Sequence, residues 1–230
     1  SIRSRNSSTV FLIDFAVFTA FTIESNNPIF CSPFKISKVF LFRWCYYITI
    51  LPDVNMGWII DPDVKKSQIE THFDAMGQDY FWAPRRFYEK YEAEIKSKHP
   101  LFLGYLFHLW LDVSFMTNFV GKIPMSDMIS KHYEIRQNKW NDCGLFIKGY
   151  HCDMSSKYIR DICEASEKIE EVEISQNDLS KALTYINNNN YEFAGEKYTV
   201  YTESELKQFY QKVADDYISW VFRTCQASVR

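Results

Sequence analysis

The stretch Leu101–Phe119, LFLGYLFHLWLDVSFMTNF, constrains this chain more than any other. It is an apolar, aromatic run of helical length carrying one His and one Asp. Leu103, Leu106, Phe107, Leu109, Trp110 and Leu111 spread around the circumference of such a helix, so it is expected to be buried on most sides. His108 and Asp112 are four residues apart and therefore stand one turn apart on the same face. A buried imidazole and a buried carboxylate are costly unless paired or bound to a metal. Two readings follow: polar groups satisfied by the core around them, or metal ligands.

The 230 residues suffice for one large domain. Apolar residues make up 47% of the chain, enough to fill a sizeable core and to argue against disorder. Seven Gly and seven Pro are few for this length and argue against a turn-rich β-sandwich. The net charge of −3 excludes a generally basic nucleic-acid binder. None of the six Cys, at 31, 45, 143, 152, 163 and 225, forms a CxxC pair, so no zinc knuckle is indicated. Reduced thiols acting as small buried apolar residues are expected, which points to a reducing compartment.

The first fifty residues differ from the rest, with a net of +3 against −6 for the remaining 180. Their apolar runs, 9–23 and 39–51, are interrupted by Asp14 and Arg43, and fall short of the ~20 residues of a membrane helix. Core helices or strands are expected there, with a peripheral membrane contact as the other reading.

Pro52 ends that section, and Asp53 stands at the mouth of a loop running to Asp63. His72 follows in a polar loop. A helix is expected from Ala83, with Pro84 in its first turn and Phe87, Tyr88, Tyr91 and Ile95 along one face. Further helices are expected over Met125–Trp140, Ser156–Glu170 and Gln176–Asn187, the last with Ser175 as N-cap. Lys139–Asp142 reads as a polar turn. Thr202-Glu203-Ser204-Glu205 has the form of a capping box and opens a final helix striped by Leu206, Phe209, Tyr210, Val213, Tyr217 and Trp220. The fold class is all-α, one helical domain over 1–230, with a divergent apolar section at 1–50 and the helical core at 51–230.

Asp53, His72, His108 and Asp112 together offer two imidazoles and two carboxylates, a donor set suited to zinc, singly or as a pair of ions. A carboxylate in such a set can bridge ions or act as general base. Arg85-Arg86 and Asp142 are weaker candidates: a phosphate contact and a spare ligand, each read first as an ordinary helix face or turn.

The order Leu51-Pro52-Asp53, then Thr71-His72-Phe73, then Leu103-Gly104-Tyr105-Leu106-Phe107-His108-Leu109-Trp110-Leu111-Asp112 resembles the zinc-dependent phospholipase C-like family of bacterial proteins. The resemblance covers roughly residues 45–120. It implies the all-α fold shared by zinc phospholipases C and single-strand nucleases, with one or more zinc ions held by Asp53, His72, His108 and Asp112. It also implies Asp53 as the catalytic carboxylate. The implied activity is hydrolysis of a small-molecule or lipid phosphate ester, in the cytoplasm, with peripheral membrane association as a further expectation. Two departures stand out: the chain has no His before His72, and His132 is followed four residues later by Arg136 in place of the acidic partner seen in the phospholipases. The alternative is therefore a catalytically inactive helical binding or structural protein that keeps the His/Asp site.

Overall fold

The computed structural model describes residues 48, 50–54, 66–74, 80–120, 132–146, 154–189 and 197–226. Of these, 78% are helical and none form strands. In chain order the helices are α1 (Leu51–Val54), α2 (Gln68–Thr71), α3 (Ala83–Lys90), α4 (Glu92–Lys96), α5 (Pro100–Val120), α6 (His132–Phe146), α7 (Ser156–Ser166), α8 (Gln176–Asn189) and α9 (Glu203–Gln226). A 3₁₀ turn, Tyr80–Trp82, leads into α3. The divergent N-terminal section lies outside the described residues, apart from Ile48 and Ile50, both in the core.

Helix α5 is the central element the apolar run predicts. Leu101, Phe102, Leu103, Leu106, Phe107, Leu109 and Leu111 are all buried. At ~2 kcal/mol for each fully buried large apolar side chain, this run outweighs the cost of carrying two polar groups inward. Its neighbours are aromatic. Phe87 of α3 stacks on Tyr105, with ring centroids 4.6 Å apart. Tyr217 of α9 packs on Phe107 at 4.9 Å and donates a 2.6 Å hydrogen bond to the Leu103 carbonyl. Trp220 meets Trp110 at 5.5 Å. No helix among the described residues is long and apolar enough to cross a membrane.

The capping signals hold. Thr202 Oγ1 accepts from Glu205 N at 3.2 Å, while Glu205 Oε2 accepts from Thr202 N at 2.8 Å. Ser175 caps α8 the same way with Asp178. Leu206, Tyr210, Val213 and Tyr217 then bury the predicted stripe of α9. Thr202→Ala removes the acceptor for one helix N–H and is expected to cost about 1 kcal/mol. A thermal melt should register this as a drop of about 3 °C. An unchanged midpoint would mean that packing alone fixes the start of α9.

Three expectations change. The helix predicted to run on from Ala83 is divided at Tyr91 into α3 and α4, because the Tyr91 backbone leaves helical geometry at φ −117°, ψ 34°; its hydroxyl donates to Glu171 at 2.7 Å. Lys139–Asp142 is not a turn but lies inside α6. Helix α7 ends at Ser166 rather than Glu170. The start of the helix predicted over Met125–Trp140 lies outside the described residues up to 131.

Cys143, Cys163 and Cys225 are buried thiols outside any disulfide, as expected of apolar thiols. Burial, with Asp178 and Glu164 adding to it, pushes the Cys163 thiol up to about 11, so it stays protonated and unreactive. Cys31, Cys45 and Cys152 lie outside the described residues.

Candidate metal centre

Three elements bring four side chains together. Asp53 comes from α1, a short helical turn that tolerates Pro52 because a proline in the first turn forfeits no helical hydrogen bond. This corrects the loop-mouth placement: Asp53 lies within helix α1, 0% exposed, with its N–H bonded to the Ile50 carbonyl at 3.0 Å. The loop predicted after it, 55–63, lies outside the described residues. His72 caps the C-terminus of α2 and is also 0% exposed, not a surface loop residue. His108 and Asp112 project from α5 on one face, as their spacing requires.

The polar atoms of these four converge. His108 Nε2 lies 3.2 Å from His72 Nε2 and 3.2 Å from Asp112 Oδ2. His72 Nε2 lies 3.4 Å from Asp53 Oδ1 and 3.7 Å from Asp112 Oδ2. His108 Nε2 lies 3.9 Å from Asp53 Oδ2. Asp53, His72 and His108 each offer a ligand atom, all within 4.8 Å of one another, close enough to bind one metal ion. Asp112 stands against both imidazoles of that group.

These separations fit a shared ion. Neighbouring ligands about 2.1 Å from one tetrahedral ion stand about 3.4 Å apart. The hydrogen bonding fits as well. Among the described residues both Asp53 oxygens and Asp112 Oδ2 are buried with no hydrogen bond of good geometry, the imidazoles standing 3.2–3.9 Å from them. Orphaned carboxylate oxygens in a core are expensive, and a cation among them removes that cost. Burial raises the Asp53 carboxyl above the usual carboxylate range, while the imidazoles of His108 and His72 act in the opposite direction.

The site also fixes its own imidazole. Thr71 Oγ1 lies 2.9 Å from His72 Nδ1. With the proton on Nδ1 and donated to that oxygen, the Nε2 lone pair faces the cluster, as a ligand requires. The Thr71 carbonyl is itself held by the Tyr105 hydroxyl of α5. Burial pushes that phenol well above its ordinary pKa, so it remains a donor.

The weaker candidates resolve differently. Arg85 is exposed and pairs with Glu89 at 2.7 Å, an ordinary helix-surface pair. Arg86 donates to the Phe73 carbonyl at 2.8 Å, beside the cluster. Asp142 is fully buried but not at the centre. Its carboxylate accepts from the backbone N–H groups of Thr199, Val200 and Tyr201 at 2.6, 2.6 and 2.7 Å. It ties α6 to the segment that leads into α9.

A groove of about 990 Å³ runs along the other side of α5, between α3 and α9. Leu106, Trp110, Val113 and Thr117 line it, spaced four, three and four residues apart on one face. Two residues along an α-helix turn by about 200°, so His108 points away from the Leu106 side. The groove and the cluster therefore occupy opposite faces of one helix.

Comparison with family models, with curated proteins and with solved structures returned no match.

Proposed function

We propose that Asp53, His72, His108 and Asp112 hold zinc, and that the chain is a metal-dependent phosphodiester hydrolase of the phospholipase C-like type. The observation that carries this reading is the convergence of two imidazole Nε2 atoms on buried carboxylate oxygens that have no other partner among the described residues. When bound, zinc supplies Lewis acidity toward phosphate oxygens and a water-derived nucleophile at neutral pH. The chain supplies the rest. His72 and His108 offer neutral nitrogen lone pairs, one oriented by Thr71 and the other by the frame of α5. Asp53 has two oxygens toward the cluster, one near each imidazole, and serves as the carboxylate that accepts the proton of the attacking water. The substrate class is a small-molecule or lipid phosphate ester.

The test pairs metal content with turnover. Protein purified without chelator is expected to carry zinc and to cleave a chromogenic phosphodiester such as bis(p-nitrophenyl) phosphate. Asp53→Asn is expected to lower kcat by at least ~100-fold. Absence of zinc from the parent protein, together with failure to take it up on titration, would sink the reading.

The near-complete burial of the four side chains favours a second reading, a catalytically inactive helical binding or structural protein that keeps the His/Asp cluster for structure only. That reading predicts no bound metal, no turnover of any phosphodiester, and loss of fold rather than of activity on removing His108.

A further inference from the structure

His72 owes its position to a turn that the sequence does not advertise. Helix α2 ends in a Schellman motif, in which the Phe73 N–H returns to the Glu70 carbonyl at 3.2 Å and the Asp74 N–H to the Ile69 carbonyl at 3.0 Å. The residue after the C-cap of such a motif is left-handed, and glycine is the usual occupant. Here it is Phe73, at φ 53°. A residue with a Cβ is strained in that region by about 1–2 kcal/mol, and persists there only where its surroundings over-determine it. The chain has the same motif after α4, with Lys98 at φ 60°. That turn carries no ligand.

What holds Phe73 is visible on α3 and α5. Its ring packs edge-on against Phe87 at 5.1 Å and Tyr105 at 6.3 Å. Its carbonyl accepts from Arg86 Nη1 at 2.8 Å. The carbonyl two residues before it, that of Thr71, accepts from Tyr105. His72 is thus the residue between two carbonyls that are both clamped by side chains from neighbouring helices. We propose that Arg86 is a positioning residue for His72, its guanidinium locking the left-handed turn so that Nε2 is aimed at Asp53 and His108. The proposal rests on the metal reading above and gives Arg86 a role other than a phosphate contact. Arg86 meets this turn at the Phe73 carbonyl. It acts through the backbone of Phe73, and loosening that turn shifts the imidazole relative to a helix that does not move.

The test is a zinc titration of the full chain in competition with a chromophoric chelator, with parallel cobalt loading to read the ligand field. Arg86→Met keeps the aliphatic stem and removes the donors. It is expected to weaken zinc affinity by about 10- to 100-fold, the range seen when a partner that orients a ligand is lost. Its cobalt absorption band should shift, which a substitution that only loosened the fold would not cause at unchanged far-UV dichroism. Arg86→Lys retains one donor and should fall between the parent and Arg86→Met. Zinc affinity of Arg86→Met within twofold of the parent, with an unchanged cobalt band, overturns the positioning role while leaving the metal centre intact. A parent protein that binds no zinc overturns both. If Arg86→Met does not fold, Arg86→Lys decides alone: weaker affinity supports the role, and parental affinity overturns it.

Discussion

His108→Ala is expected to abolish zinc retention through dialysis while the protein stays helical. His108 Nε2 approaches all three other members of the cluster, His72, Asp112 and Asp53, at 3.2, 3.2 and 3.9 Å. Its removal leaves Asp53 and Asp112 as buried carboxylates with one fewer imidazole between them. Two consequences should separate. Metal affinity should fall by more than ~100-fold, exceeding the loss of an orienting partner, because a ligand itself is gone. Stability of the metal-free protein should change less, since the metal-free cluster already holds unsatisfied oxygens. Inductively coupled plasma mass spectrometry on dialysed protein, read beside circular dichroism, checks both. Retention of zinc at parental stoichiometry would remove His108 from the ligand set.

Asp142→Ala is expected to be the most destabilising single substitution outside the cluster. The carboxylate receives three backbone N–H groups, the Thr199 hydroxyl at 3.0 Å and the Asn141 amide at 3.0 Å. Truncation removes a buried charged acceptor from those donors, of which the Tyr201 N–H is buried and the others part-buried, and charged hydrogen bonds are worth more than neutral ones. A loss of about 3 kcal/mol follows, seen as a melting point lower by about 6–12 °C. Asp142→Asn keeps the shape and part of the acceptor capacity and should lie between. Zinc content of the folded variant should match the parent, because Asp142 is not in the centre. A melting point within 2 °C of the parent would mean that solvent, not Asp142, satisfies residues 199–201.

The two substitutions also mark where the sequence was readable. His108 and Asp112 were legible because one helix carries both: an apolar run fixes the helix, and a spacing of four fixes the face. Helix α9 was legible for a similar local reason, a capping box followed by a stripe. His72 was not readable as a buried group. The polar residues around it describe a surface turn, and the Schellman motif that draws it inward lacks its usual glycine. Asp53 was legible as a candidate but not in its setting, since Pro52 signals a break and here sits inside a helical turn. Asp142 was misread for a further reason. Asn and Asp favour turns through local bonds, whereas this Asp is satisfied by residues 57 to 59 positions onward. Local pattern carries no trace of such a partner. A helix face can be found by periodicity, but a contact across the fold cannot.

The bond from the Tyr217 hydroxyl to the Leu103 carbonyl joins positions 114 apart, and the contact of Cys225 Sγ with the Ile95 carbonyl joins positions 130 apart. On the ribosome these links impose a waiting time. Residues 53 to 112, which contain every member of the cluster, emerge well before the helix that seats against α5. At 5–20 residues per second the gap is roughly 5–20 s. Through that interval the flank of α5 that carries Phe107 and Trp110 lacks its cover. A nascent chain stalled before α9 should therefore expose an aromatic face and be prone to aggregation.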